Sequence, residues 1–479
     1  MSVDASTFPT LSTVTRNAAA LFVGRALVMT LSFAFLIGAA RVLGLSGFGQ
    51  YMLARTYFDL LLTLSVTGLS ILITREIAKA PALGPVYLGT GAPLVIGLAA
   101  LLSGLLVLVS PLAGYGSDVR SMLWLVSLAL IPASFAMLCE AVFVAIGKAP
   151  YVMFGTCSEG ALYAGIGLVL LWQGHGGHSL LAALVATRAS LAALYAVRVW
   201  RVFGEMPRLG SYAFTRRLCL DWRTFACENW LANITSSTST IVLSVFHSEA
   251  TVGLYTAASR ITNFGTPLIA SFTSAMFPYL SRLHEESSLS FRRVGEESLK
   301  YMVAVALPGV VMIATFADRI IATMYGDVYR PAVPVLRIVI WVFVLNFINP
   351  FVSHLLFARG EQIRSLRVGA ITAAVSLVLS LVLIPRWGAI GAASAVLASA
   401  GLACGLFCAN AFRPNLAAVL MAFGKAALAA ATLAAFLALS RHANPAALIV
   451  GGVGVYLGAL VLLRVSSPRE VAMFLRGLQ

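Results

Sequence analysis

The sequence predicts an all-α polytopic membrane protein with about 14 transmembrane helices. Hydrophobic residues make up 60% of its 479 residues and charged residues only 11%, and the mean hydropathy is +0.92. A helix needs about 20 apolar residues to cross a hydrocarbon core of about 30 Å, and apolar runs of that length recur along the chain. Barrel strands would instead alternate apolar and polar residues over about 10 positions. This composition excludes a soluble fold.

The order of apolar runs gives the individual spans. We predict them at 18–40, 51–73, 86–112, 121–146, 151–173, 179–200, 224–246, 254–279, 299–317, 332–357, 366–384, 388–410, 418–439 and 444–463. With the N-terminus inside, the inner segments carry 22 Arg and Lys residues and the outer segments 6. Inner loops are enriched in Arg and Lys, so both termini are predicted to be cytoplasmic.

The net charge of +15 follows from the same asymmetry. The excess is spread over loops beside anionic lipid headgroups, which favours membrane lipids rather than nucleic acid as partners. No cleavable signal peptide is expected, because the first apolar run is long enough to span. The six cysteines form no CxxC pair, so neither a disulfide framework nor a metal site is predicted, and no cofactor is implied.

The chain divides into two predicted lobes of six spans each, followed by two extra C-terminal helices. The boundaries are 1–205 for the N-terminal lobe (spans 1–6), 206–223 for a basic cytoplasmic linker, 224–412 for the C-terminal lobe (spans 7–12) and 413–479 for spans 13–14 with a cytoplasmic tail. The linker is the longest charged stretch of the chain.

The two lobes repeat one another in sequence. Gly49-Gln50-Tyr51 opens span two and Gly253-Leu254-Tyr255 opens span eight, 204 residues later. A six-span unit duplicated in one orientation gives such an offset, and transporters are often built from repeats of this kind. Chance similarity in a sequence rich in Gly and Ala is the alternative.

Four short stretches, in order, carry a more specific pattern. They are Arg41-Val42-Leu43-Gly44 with Gly47-Phe48-Gly49-Gln50-Tyr51, Gly68-Leu69-Ser70 with Thr74-Arg75-Glu76-Ile77, Gly253-Leu254-Tyr255-Thr256-Ala257-Ala258-Ser259-Arg260, and Ile384-Pro385 with Gly388-Ala389-Ile390-Gly391-Ala392-Ala393. Together they resemble polysaccharide-biosynthesis (O-antigen or exopolysaccharide repeat-unit) flippases of the multidrug/oligosaccharidyl-lipid/polysaccharide exporter superfamily. The resemblance covers roughly residues 15–410. It implies a two-lobed bundle that moves a lipid-linked oligosaccharide across a bacterial inner membrane by alternating access.

A charged arginine inside a membrane span has a high free-energy cost, so each one is expected to have a specific role. Arg offers planar, bidentate donors to phosphate at any physiological pH, which suits an anionic polyprenyl-pyrophosphate substrate. By position in spans one, two and eight, Arg25, Arg55 and Arg260 are similar to the cationic cavity residues that the resemblance implies. Snorkelling or interfacial anchoring is the alternative role. Arg188 and Arg337 also lie inside predicted spans, but no matching position supports a role for them in substrate binding.

Three carboxylates are candidates for ion coupling. Asp59 lies one turn beyond Arg55, so it can form a structural pair with that arginine or bind a coupling cation. Glu140 and Glu159 lie on consecutive spans and can face one another, which would favour proton coupling. Pairing with an Arg or Lys is the alternative for both glutamates.

Asn229 and Asn233 open an unusually polar stretch of span seven. Such side chains commonly join helices to one another through hydrogen bonds. The alternative is a hydrophilic wall for sugar hydroxyls, and we count both residues as candidate substrate contacts.

The resulting functional prediction is a flippase for an anionic polyprenyl-pyrophosphate-linked oligosaccharide in surface polysaccharide assembly. A polysaccharide polymerase is a candidate partner. A cation-coupled multidrug or small-molecule exporter of the same superfamily is one alternative, although its substrate would want acidic cavity residues and few arginines. A membrane glycan polymerase or ligase is another, but the predicted outer loops are short and hold no His or carboxylate cluster. We therefore predict a protein that is not an enzyme.

Overall fold

The computed structural model describes residues 11–204, 208–413, 416–440 and 444–463, and these are helical almost throughout, with no strand among them. The all-α fold class is therefore confirmed. The chain forms two compact units, Met1–Asn233 and Ile234–Gln479, here called the N-terminal and C-terminal units. The division falls inside one long helix of residues 212–246. The domain boundaries expected from the sequence stay a prediction.

Seven α-helices begin in the described part of the N-terminal unit. They are α1 (Leu11–Val66), α2 (Leu69–Lys79), α3 (Gly84–Val109), α4 (Ser117–Ala145), α5 (Ala149–Trp172), α6 (Gly177–Phe203) and α7 (Tyr212–Phe246). Short turns join most of them, as expected for antiparallel neighbours in a bundle. At the end of α2, Glu76 accepts hydrogen bonds from Lys79 and Arg75, which hold the pKa of that exposed carboxyl below its usual range.

Helix α1 covers predicted span one and residues 51–66 of predicted span two, and it bends at Gly44. This glycine has φ 68° and ψ −175°, outside the helical region. Only glycine adopts that conformation readily, because a Cβ atom would clash with its own backbone. The loop that the sequence predicts at residues 41–50 is thus reduced to one glycine bend.

Helix α4 is the central helix of the N-terminal unit and packs against α1, α2, α3 and α6. Its buried face is rich in small residues, including Ala129, Ala133 and Ser134. Small side chains let helix backbones approach closely, which stabilises helix pairs where lipid and protein are equally apolar. The Ser134 and Ser65 hydroxyls lie 2.8 Å apart and add a buried hydrogen bond between α4 and α1.

Nine α-helices follow among the described residues of the C-terminal unit. They are α8 (Glu249–Asn263), α9 (Thr266–Glu286), α10 (Ser288–Thr315), α11 (Ala317–Tyr325), α12 (Val333–Val339), α13 (Val342–Ala358), α14 (Gln362–Ala411), α15 (Leu416–Leu439) and α16 (Pro445–Leu462). Helix α14 covers predicted spans eleven and twelve and bends at Gly388, where φ is 54°. Helix α13 packs against α9, α10 and α14, while α15 packs against α10 and α16.

Three predicted spans are divided in the structure. Span two is divided between α1 and α2, span eight between α8 and α9, and span ten between α12 and α13. The break in span eight falls at Phe264 and Gly265, just before Pro267 in the first turn of α9. Proline lacks a backbone N–H and is tolerated in a first helical turn, so it favours a new helix start there.

Eight helical segments of the described residues are long and apolar enough to cross a membrane, and the helices at Phe423–Leu439 and Leu448–Leu462 are shorter apolar ones. Two of the eight segments, Val28–Val66 and Gln362–Ala411, each cover two predicted spans in whole or in part. A multi-pass membrane protein is therefore confirmed, and the number of fourteen spans remains a prediction.

Candidate functional site

One face of α1 carries a row of polar side chains in the N-terminal unit. Arg55, Asp59 and Thr63 follow one another at four-residue spacing, which places them on successive turns of one helix face. The Arg55 Nε atom lies 3.3 Å from Asp59 Oδ1. Thr63 Oγ1 lies 3.4 Å from Asn233 Oδ1 of α7. The structure thus brings the predicted site residues Arg55 and Asp59 of α1 into one row with Asn233 of α7.

Aromatic rings surround the Arg55 guanidinium. Its central carbon lies 5.2 Å from the centroid of the Phe58 ring and 6.0 Å from that of Tyr163 on α5. The Tyr163 hydroxyl is 2.7 Å from the Tyr51 hydroxyl, one turn before Arg55. Cation–π contacts and the ion pair to Asp59 hold the planar guanidinium in one orientation. A fixed guanidinium is prepared for bidentate contact with phosphate.

Glu159 on α5 pairs with Arg188 on α6. The Arg188 Nε atom lies 3.4 Å from Glu159 Oε1, and the two side chains are 21% and 10% exposed. The Arg188 guanidinium also lies 5.8 Å from the Phe58 ring centroid. The fully buried Phe58 ring therefore contacts two guanidiniums, Arg55 and Arg188.

Glu140 on α4 has a different environment. Its carboxylate lies within electrostatic range of Arg188, Glu159 and the Tyr195 hydroxyl of α6, and that hydroxyl donates a hydrogen bond to the Val152 carbonyl oxygen at 3.1 Å. Among the described side chains it forms no ion pair within 4 Å. Tyr195 packs over Gly155 of α5, where any Cβ would meet its ring and hydroxyl.

These charged residues form a cluster of three carboxylates and two guanidiniums: Asp59, Glu140, Glu159, Arg55 and Arg188. One carboxylate is in excess, so binding a proton or another cation there would neutralise the cluster. Within the described ranges, no three His, Cys, Asp or Glu side chains lie close enough to hold a metal ion.

The other predicted site residues lie elsewhere. Arg260 is on α8 of the C-terminal unit, half-buried and within electrostatic range of Tyr325. The Tyr325 hydroxyl donates to the Ala257 carbonyl oxygen at 3.2 Å. Asn229 is half-buried on α7 and its carbonyl oxygen accepts from Asn233 Nδ2 at 3.0 Å. Arg25 belongs to α1, but its side chain lies outside the described residues.

Sequence reasoning missed the aromatic part of the cluster, namely Tyr51, Phe58, Tyr163 and Tyr195. A signal was present for three of them. Tyr51 precedes Arg55 by four residues, Phe58 follows it by three, and Tyr163 follows Glu159 by four, so each shares a helix face with a charged candidate. Tyr195 is found only through its packing against Gly155 of α5.

A family model described as "Polysaccharide biosynthesis protein" matches residues 14–284, more than half of the chain. The chain belongs to this family. The model for "Lipid II flippase MurJ" matches residues 224–456 of this polysaccharide biosynthesis protein. Both matches agree with the superfamily that the sequence motifs resemble, so that resemblance is confirmed.

Two curated relatives of this family member come from Haloferax volcanii. "Probable flippase AglR" is 28% identical over 193 residues, which cover 39% of this chain and 40% of the relative. "Probable low-salt glycan biosynthesis flippase Agl15" is 24% identical over 155 residues, covering 32% and 33%. The matched stretches therefore span two fifths or less of the length of each relative.

Solved structures show the same fold. The family member aligns with lipid II flippase MurJ in an inward closed conformation at a TM-score of 0.78 and 12% identity, covering 96% of this chain and 99% of the other. It aligns with an inward-facing multidrug resistance MATE family transporter at a TM-score of 0.65 and 14% identity, covering 82% and 95%. At these identities the likeness concerns the fold alone. The matched flippase model and the two relatives named as probable flippases agree with the prediction that the chain is not an enzyme.

Proposed function

We propose that this protein is a flippase that moves a lipid-linked glycan across its membrane. Membership of the polysaccharide biosynthesis family and two curated relatives named as probable flippases support this. The structural observation that carries the proposal is the fixed guanidinium of Arg55, a charged group held between α1 and α5 in a chain that is otherwise strongly apolar.

The surroundings of Arg55 suit an anionic ligand. Its partner Asp59 is 46% exposed, whereas Arg55 is 22% exposed. A phosphate oxygen that replaces Asp59 would keep the charge of Arg55 compensated and would gain a bidentate contact. Displacement of Asp59 from Arg55 by the phosphate would couple anion binding to a conformational change in the protein.

The finer proposal concerns the substrate. We take it to be an anionic polyprenyl-pyrophosphate-linked oligosaccharide, with Arg25, Arg55 and Arg260 contributing to the binding of its head group. Asn229 and Asn233 contribute hydrogen bonds to sugar hydroxyls. The membrane is the bacterial inner membrane, both termini are cytoplasmic, and a polysaccharide polymerase uses the product. Alternating access of the two lobes provides the movement.

Ion coupling is assigned to the carboxylates Asp59, Glu140 and Glu159. Glu140 is the best candidate to carry a proton, because among the described side chains it forms no ion pair within 4 Å and lies within electrostatic range of a second carboxylate, Glu159. Glu159 is compensated by Arg188 and Asp59 by Arg55. Transport by the Glu140→Gln variant should no longer depend on a proton gradient, whereas unchanged dependence removes Glu140 from this role. Asp118→Asn, an exposed carboxylate outside the cluster, is the control.

The experiment that tests the substrate is native mass spectrometry of the gently purified protein beside an R25A/R55A/R260A variant. We expect a polyprenyl-pyrophosphate glycan to accompany the wild-type protein and to be lost from the variant. An equal amount of this lipid on both proteins would contradict the arginine site. Absence of any such lipid, together with binding of added organic cations, would contradict the flippase proposal.

The alternative is a cation-coupled multidrug or small-molecule exporter. The observation that favours it is the excess carboxylate of the charged cluster, since a cationic substrate could neutralise it. Binding of a lipophilic cation that is lost in Glu140→Gln and kept in Arg55→Ala would favour this alternative.

A further inference from the structure

A cavity of about 650 Å³ lies in the N-terminal unit, apart from the charged cluster. It is formed by the end of α3, the start of α4 and the start of α6, so it lies where the α3–α4 and α5–α6 connections meet. Roughly 300–1,000 Å³ is the usual size of a ligand pocket. We call it the rim cavity.

One end of the rim cavity is polar and positively charged. Arg120, Ser117, Ser121 and His178 line it. Arg120 is exposed and has no ion pair within the part of the chain that the structure describes. Asp118, in the same turn of α4, is not among the lining residues. The cavity thus presents a guanidinium whose charge is not compensated by a neighbouring carboxylate.

A hydrogen-bond chain orders the imidazole of His178. The Ser121 hydroxyl donates to the Asp118 carbonyl oxygen at 2.8 Å and lies 2.6 Å from His178 Nε2. A hydroxyl has one proton to donate, so Ser121 accepts a hydrogen bond from His178 Nε2–H. A proton on Nε2 defines the tautomer of the neutral ring.

The rest of the rim cavity is apolar. Trp124 and Leu128 follow Arg120 by one and two turns of α4, and the lining continues with Val107, Ser110, Pro111 and Leu125. The Ser110 hydroxyl donates a hydrogen bond to the Val107 carbonyl oxygen. Trp124 is 58% exposed and Leu128 61%. The positive charge of Arg120 therefore lies near the start of α4, and the apolar surface continues from there along the axis of α4. A tryptophan between the two is typical of a membrane–water interface.

We propose that the rim cavity binds an anionic phospholipid of the surrounding membrane, with its phosphate at Arg120 and one acyl chain along Trp124 and Leu128. A soluble anion would use only the polar end, whereas a phospholipid presents a phosphate and a hydrocarbon chain in the same order as the lining residues. A zwitterionic lipid carries a compensating ammonium group, so Arg120 selects a net negative headgroup. This binding is independent of the transported substrate and of the flippase proposal.

Tryptophan quenching tests this directly. The full-length protein is reconstituted into phosphatidylcholine vesicles that contain phosphatidylglycerol with brominated acyl chains, and its fluorescence is measured against lipid fraction. The chain has 7 tryptophans, so the signal of the site is the quenching lost in Trp124→Phe. Trp172→Phe, which removes an exposed tryptophan of α5 outside the rim cavity, is the matched control.

We expect saturable quenching of Trp124 by brominated phosphatidylglycerol at low lipid fraction. Arg120→Gln should require about fivefold more lipid for half-saturation, since one basic residue near an anionic surface contributes about 1 kcal/mol. Arg386→Gln, an exposed arginine of the C-terminal unit, should leave the curve unchanged.

Three results would overturn the proposal. The first is equal quenching of Trp124 by brominated phosphatidylcholine and brominated phosphatidylglycerol. The second is an unchanged curve in Arg120→Gln. The third is displacement of phosphatidylglycerol by a polyprenyl phosphate added in small amount, because the site would then belong to a transported lipid.

Discussion

Arg55 contributes more than a positive charge, because its position depends on two aromatic rings and one carboxylate. Lysine would keep the charge but would lose the planar face that packs on Phe58 and the paired donors for phosphate. Substitutions of Arg55 can therefore separate the effect of its positive charge from the effect of its guanidinium geometry.

Arg55→Ala should reduce glycan-lipid translocation in proteoliposomes by at least about tenfold, since hydrogen bonds to charged groups contribute roughly 1.5–3 kcal/mol. Arg55→Lys should retain part of the activity. Arg386→Ala serves as the control for loss of an exposed arginine. Wild-type translocation by the Ala variant would exclude Arg55 from the site.

The pair between Glu159 and Arg188 should also contribute to the stability of the protein. Glu159→Gln leaves Arg188 in a largely buried place without its carboxylate, and the reverse holds for Arg188→Gln. In thermal unfolding of the detergent-solubilised protein, each single variant should be destabilised, and the double variant less than the sum, with a coupling free energy of about 1 kcal/mol. Additive effects would show that the two residues do not stabilise one another.

At the scale of helices, glycine determines how closely α5 and α6 approach. Gly155→Ala should destabilise the protein by about 1–3 kcal/mol, because the added Cβ would meet the Tyr195 ring. Gly165→Ala on the same helix, where nothing lies within 4 Å of the added atom, should be neutral or slightly stabilising. Equal melting temperatures for the two variants would contradict this packing.

The bend of α1 gives a second prediction about an element. Gly44→Ala should cost about 1–3 kcal/mol of stability, because its φ and ψ angles are accessible only to glycine. No atom lies within 4 Å of the added Cβ, so the cost would be conformational. Gly104→Ala in α3, also in open space, is the control in the same unfolding measurement. Equal stability of Gly44→Ala and the wild-type protein would contradict the bend of α1 at this glycine.

The positions of the helices could be predicted from the sequence because apolar run length is a local property. The Arg55–Asp59 pair could be predicted for the same reason, since residues four apart share a helix face. The pair of Glu159 with Arg188 could not, because it depends on the register between α5 and α6. The sequence predicts a loop at residues 41–50, where the structure has a bend at Gly44. A single glycine can replace several loop residues only where packing supports both flanking helices, and such packing is not a local property of the sequence.

At the scale of the whole molecule, the distribution of Arg and Lys predicts orientation. Alkaline phosphatase fused after Arg120 should be active, because this residue is predicted to lie outside, and a fusion after Lys148 should be inactive. A green fluorescent protein fused at the same two positions should give the opposite pattern. Activity of both phosphatase fusions would require a different topology.

The ring of Phe58 has a consequence for how the protein could be observed. Because this ring contacts the guanidiniums of both Arg55 and Arg188, any ligand that moves one cation changes the electronic environment of the ring. A fluorine atom on Phe58 would therefore act as a spectroscopic reporter that never touches the ligand. Its ¹⁹F resonance would follow occupancy of the Arg55 side and charge changes on the Glu159 side within one spectrum.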